Sequence, residues 1–94
     1  MAESPEPTIV CDYWQTELPK VFSDIALLMQ GLMLGGVLRL GTEWPDAMWA
    51  VPKWCLATGN RVIGSSQMCI YPLGLEYIFD IERGSGNVYS TSLS

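Results

Sequence analysis

LPKVFSDIALLMQGLMLGGVLRL, residues 18–40, contains the change of pattern on which the fold turns. Leu18, Val21, Phe22, Ile25, Leu28, Met29 and Leu32 recur at three- and four-residue steps. Lys20, Ser23, Asp24 and Gln30 fall mainly between them. This spacing predicts an amphipathic helix over 18–30. Pro19 suits a first helical turn, where its missing N–H is no loss. Gly31 offers a stop. After Gly35-Gly36 the period shortens, and VLRL at 37–40 alternates as a strand does. Between Ile25 and Leu38 only Gln30 is polar, and Gly31 and Gly35 form a GxxxG spacing. A membrane-spanning helix needs ~20 apolar residues, and Asp24 and Arg39 bound a shorter run than that. A buried core is therefore expected here, and no membrane.

Upstream, MAESPEPT at 1–8 is polar, acidic and proline-containing, and reads as a flexible tail. It has neither a basic start nor an apolar run, so it is not read as a signal peptide. IVCDYW at 9–14 is β-branched and aromatic and predicts a short strand, a first helical turn being the alternative. Downstream, EWPDAMWAVPKWC at 43–55 holds three of the four tryptophans and two prolines. Its prolines point to irregular or edge-strand structure. ATGN at 57–60 is a turn signal. RVIG and MCIYPL are two short strand candidates separated by Ser65, Ser66 and Gln67. LEYIFDIE at 75–82 is the clearest strand, with Leu75, Tyr77, Phe79 and Ile81 on one side. Glu76, Ile78, Asp80 and Glu82 are on the other. RGSGN and then VYSTSL predict a C-terminal hairpin, since Gly and Asn tolerate positive φ. The fold expected is α+β: one N-terminal amphipathic helix packed on a small antiparallel sheet with a C-terminal hairpin, in a single domain over 9–94.

Composition narrows the function. The 94 residues are 49% hydrophobic and only 16% charged, with a net charge of -5. So much apolar surface on so short a chain is either buried or covered by a partner. Lys20, Arg39, Lys53, Arg61 and Arg83 are scattered, so nucleic-acid binding is not expected. The acidity fits a partner protein with a basic surface. Cys11, Cys55 and Cys69 are odd in number and have no metal-binding spacing. Reduced, mostly buried thiols in the cytoplasm are expected.

Histidine is absent, which removes Ser-His and Cys-His catalysis. Three widely spaced cysteines are a poor zinc site, and no metal or cofactor is expected. Glu76, Asp80 and Glu82 share a strand face and could gather a cation or act as acid and base. A solvated strand face accounts for them more simply. The GxG of RGSGN lacks the strand and helix of a dinucleotide site. Ser85 and Ser90 have no candidate base. No enzymatic activity is expected.

The tryptophan cluster has three readings. Core filling comes first, then a protein interface, then stacking on a small ligand or cation. Trp49, between Met48 and Ala50-Val51, is expected inside. Trp44 and Trp54, near Glu43, Asp46 and Lys53, are expected at least partly outside.

LPKVFSDIALLMQG resembles the opening of SUKH-type domains, and YIFDIERGSGNVYSTSL resembles the strand and Gly-Asn hairpin of that superfamily. RVIG fits loosely beside them. The resemblance spans about half the chain. It implies a non-enzymatic α+β domain that neutralises or scaffolds a partner protein, as bacterial immunity proteins and related viral and fungal modules do. The function expected is a protein-binding module, immunity- or antitoxin-like or a viral or phage inhibitor. Its candidate contacts are Trp44, Asp46, Trp54, Glu76, Asp80 and Glu82. The alternative is a small structural subunit of a homo-oligomer or viral assembly.

Overall fold

A computed structural model describes residues 6–84. The elements run β1 (Ile9–Tyr13), α1 (Leu18–Gln30), β2 (Val37–Thr42), α2 (Ala47–Thr58), β3 (Arg61–Ile70) and β4 (Gly74–Glu82). The α+β class holds. The sheet is mixed, not antiparallel, with strand order β1-β2-β4-β3. β1 lies parallel to β2, while β4 is antiparallel to both β2 and β3. The cause is α1: a helix between two adjacent strands carries the chain back to the end where it began, so the next strand runs parallel.

α1 buries Val21, Ile25 and Met29, one residue per turn. They meet Leu38 and Leu40 of β2 and Phe79 and Ile81 of β4. Burying that many aliphatic and aromatic side chains contributes roughly 1.5–3 kcal/mol each before entropy is counted. Arg83 completes the join between layers. Its Nη1 donates to Gln30 O at 3.0 Å and to Leu32 O, satisfying carbonyls at the end of α1 with a cation, where the helix dipole favours one.

Several expectations change. The second helix replaces the irregular or edge-strand segment. α2 buries Ala47, Val51 and Cys55, a stripe at four-residue spacing, and carries Pro52 inside it. Gly59, at φ 78°, ends it, and its N–H bonds back to Cys55 O. RVIG, Ser65, Ser66, Gln67 and the MCI of MCIYPL form one ten-residue strand with a register shift between Val62 and Gly64, while Tyr71, Pro72 and Leu73 lie in the turn before β4. On β4, the face with Glu76, Asp80 and Glu82 is not simply solvated: Glu76 is buried and the other two are half-buried. At the N-terminus, Thr8 N donates to Val37 O at 2.7 Å, so pairing begins inside the expected tail. The hairpin described is β3–β4. The expected partner strand, VYSTSL, lies outside the described residues.

Both helices cover one face of the sheet. Ser65, Gln67 and Cys69 belong to that face by alternation yet are exposed, so the β3–β4 hairpin runs past the helical layer. Among the described residues, no helix is long and apolar enough to cross a membrane.

Candidate functional site

Where the first turn of α1 meets α2, the surface opens into an apolar groove of about 760 Å³. α1 supplies Leu18, Pro19 and Phe22. α2 supplies Trp49, Ala50, Lys53, Trp54 and Ala57. With Asp46 these stand at i, i+3, i+4, i+7, i+8 and i+11, a continuous face of one helix. This face lies beside the buried stripe of Ala47, Val51 and Cys55. α2 therefore has two apolar faces, one against the sheet and one toward the groove.

Trp44 closes one end. Two loops are tied together there. Gln15 N, on a residue with φ 58°, donates to Glu43 Oε2 at 3.0 Å. Trp44 Nε1 donates to Thr16 O at 2.6 Å, and Trp44 N to Thr42 Oγ1 at 3.3 Å. Trp54 is fixed differently. It stacks on Phe22 with ring centroids 5.5 Å apart and planes 10° apart, joining α2 to α1. Trp49 is held by neither device.

The expectation for Trp49 is reversed: it is 61% exposed. Trp44 is 39% exposed, and Trp54 is half-buried against the core. The misreading follows from treating the segment as irregular chain. On a helix, Trp49 falls two residues from both Ala47 and Val51, which points it away from the sheet.

The groove is acidic at its rim. Its charged lining residues are Glu17, Asp46 and Lys53, two acids to one base, and no ion pair among the described residues involves any of the three. Glu17, Leu18, Pro19, Phe22, Trp49 and Lys53 were not among the sequence candidates. The 46–57 stripe was the signal that could have found Trp49 and Lys53; nothing comparable marked the four from the start of α1.

The remaining candidates lie on the opposite face of the sheet, so the structure splits the expected site in two. Asp80 accepts from Arg39 Nε at 2.8 Å and Nη2 at 3.1 Å, a forked pair. Glu82 Oε1 accepts from Arg61 Nη2 at 2.7 Å and Nε at 3.2 Å. These carboxylates already have cationic partners within the chain. Glu76 is only 7% exposed, and its Oε2 has no hydrogen-bond partner. Burial, then the neighbouring Asp12 carboxylate, pushes its pKa up, while the Trp14 side chain opposes the shift. Gly41 makes room for this pair: a Cβ there would collide with Glu76 Oε2 and Asp12 Oδ1.

Among the described residues, no group of three or more His, Cys, Asp or Glu side chains could hold a metal. All three cysteines are free. Cys55 is buried, and burial pushes its thiol up to about 12. Cys11 is half-buried and also raised by burial, while Cys69 is exposed, contrary to expectation. A nucleophilic thiol needs a lowered pKa, the reverse of what Cys11 and Cys55 have. The chain matches no known protein-family model and no curated protein.

Proposed function

We propose that the protein is a non-enzymatic binding module that holds a segment of a partner protein in the groove between α1 and α2. One observation carries this reading: Trp49, a large apolar ring, stands exposed beside Trp44 and Trp54 over an apolar groove. A helix position that exposed tolerates a polar residue at little cost to stability. Tryptophan there gives binding area, and Trp is favoured at the energetic centres of interfaces. The acidic rim and the net charge of -5 favour a basic partner surface. The groove volume is in the range of sites that enclose a compact ligand or a few side chains. The SUKH-type resemblance points the same way, toward neutralising or scaffolding a partner protein in the cytoplasm.

The test compares captures, not a single capture. Wild type, Trp49→Asp and the sheet-face variant Asp80→Asn are immobilised after circular dichroism shows each to be folded. A partner held by wild type and Asp80→Asn but released by Trp49→Asp supports the groove. A partner released only by Asp80→Asn moves the binding face to the open sheet and defeats this reading.

A second reading, self-association, draws on the β3–β4 hairpin. Met68, Tyr71, Leu73 and Leu75 are all exposed there, and β3 is an edge strand among the described residues. Beyond Arg61 that strand has no charged residue and no proline, the features that usually discourage edge pairing. A discrete dimer in light scattering that Met68→Lys returns to monomer would establish this reading. A monomer at all concentrations would remove it.

A further inference from the structure

We infer that the occupant of the groove is a proline-rich segment in the polyproline II conformation, flanked by Lys or Arg. This deepens the reading just given and rests on it. The lining is the first reason. Trp44, Trp49, Trp54, Phe22 and Pro19 are flat or rigid, and Leu18 is the one larger aliphatic side chain among them. Rigid rings form shallow slots with little side-chain entropy left to lose, and such slots take prolyl rings.

The second reason is hydrogen bonding. The Trp44 indole N–H is committed to Thr16 O. The indoles of Trp49 and Trp54 line the groove and donate to no acceptor among the described residues. Trp49 is itself 61% exposed, and the Trp54 nitrogen is not sealed from solvent, since among the described residues that are not exposed Glu76 Oε2 is the one buried side-chain polar atom left without a partner. A ligand that covers these donors must supply acceptors or leave them unpaired. An α-helix uses its carbonyls internally along its length. A polyproline II segment has no internal hydrogen bonds, so its carbonyls are free. The donors therefore select an extended ligand over a helical one.

Charge is the third reason. Glu17 and Asp46 outnumber Lys53 at the rim, which favours basic residues beside the prolines. The chain's own proline-containing stretch, SPEP at 4–7, carries Glu6 and has the wrong sign to compete.

The test is a tryptophan-fluorescence titration of the full chain with three peptide sets. One is Pro-rich and Arg-flanked, one is the same with Glu for Arg, and one is basic, amphipathic and helical. The Arg-flanked set is expected to bind. Its Kd should rise about three- to tenfold in Trp49→Phe, which keeps a ring and loses the N–H. It should rise further in Trp49→Ala. The Glu-flanked set should bind more weakly, with a gap that narrows as salt is added. Binding by the helical set alone, weakened by Trp49→Ala, overturns the polyproline inference and leaves the groove standing. Pro-rich binding indifferent to both Trp49 variants overturns the inference and the groove together.

Discussion

Replacing Glu76 by Gln should stabilise the protein at neutral pH and do little in acid. Glu76 is 7% exposed, its Oε2 has no partner, and Asp12 lies against it across Gly41. In the unfolded chain this carboxyl ionises freely in water. In the folded protein it must either stay ionised, buried beside a second carboxylate, or hold a proton. Both states are less favourable at neutral pH than the unfolded alternative. Burial and Asp12 raise the folded pKa above the ordinary 4.5. The folded state thus binds the extra proton. Stability from this group is full below the unfolded value and is lost as pH rises through the folded one. Glutamine has the same shape, carries no charge, and its amide can donate to Asp12. An unsatisfied buried oxygen costs about 1–3 kcal/mol, so a gain of about 1–2 kcal/mol near pH 7.5 is expected. For a domain of this size each kcal/mol corresponds to roughly 4–8 °C in Tm. Urea unfolding followed by tryptophan fluorescence, run near pH 4 and near pH 7.5, measures both limits. Asp12→Asn should reproduce part of the gain, and the double variant should give less than the sum, because the residues act on one another. A Glu76→Gln variant that is less stable than wild type near pH 7.5, or whose gain is equal at the two pH values, would refute this account.

Pro52→Ala should raise Tm: position 52 lies inside α2, its ring is exposed, and Met48 O lacks the N–H donor alanine would restore. An interior proline costs about 3 kcal/mol relative to alanine, so a gain of roughly 1–3 kcal/mol in thermal or urea unfolding is expected, and no gain would mean that the helix already accommodates the ring. Trp44→Phe should remove about 1 kcal/mol, because it deletes the 2.6 Å bond to Thr16 O while keeping an aromatic ring in the groove. Calorimetry reads this directly, and a loss below the error of the measurement would show that the bond adds nothing. With a thiol-specific reagent on the native protein, Cys69 should react first and Cys55 only on unfolding, since Cys69 is exposed and Cys55 is 2% exposed with its thiol at about 12. Mass spectrometry of the labelled peptides decides the order, and early modification of Cys55 would place the opening of α2 among the easy motions.

The helix over 18–30 was legible because one stripe of it is buried and the rest is mixed with polar residues. β2 and β4 were legible for the same reason at period two: Leu38, Leu40, Phe79 and Ile81 alternate with Arg39, Ile78 and Asp80. The second helix was not legible. Its sheet-facing residues are Ala47, Val51 and Cys55, while its bulkiest side chains, Trp49 and Trp54, face the groove. A helix that is apolar on two sides shows no single stripe, and Pro52 in its middle imitates a boundary. The direction of β1 was equally hidden. Five residues give a strand no sense of direction, which came only from the crossover through α1. The acidic strand face misled in the opposite way. Alternation correctly separated Glu76, Asp80 and Glu82 from the core side, but it cannot show that Arg39 and Arg61, distant in sequence, neutralise two of them.

Two of these failures, the acidic strand face and the second helix, bear on where a partner binds. Charges paired within the chain must be separated or carried along on binding, and each paired carboxylate offers less to an incoming cation than a free one. Asp80 and Glu82 are paired in this way, and Glu76 is buried. Glu17 and Asp46 have no such partner among the described residues and stand beside exposed aromatic rings. The same helix that hid itself from the sequence collects those rings. Its small residues, Ala47 and Cys55, let it lie close to the sheet, which turns Trp49 and Trp54 toward α1. The groove thus follows from the distribution of size around α2. Enlarging Ala47 to Leu should push α2 away from the sheet and overpack the core, at a cost of about 1–3 kcal/mol. If the groove is set by that packing, the centre of the Trp emission spectrum should shift in the folded variant as Trp54 loses its register with Phe22. An unshifted spectrum in a destabilised but folded Ala47→Leu protein would show that the ring stack alone positions the groove.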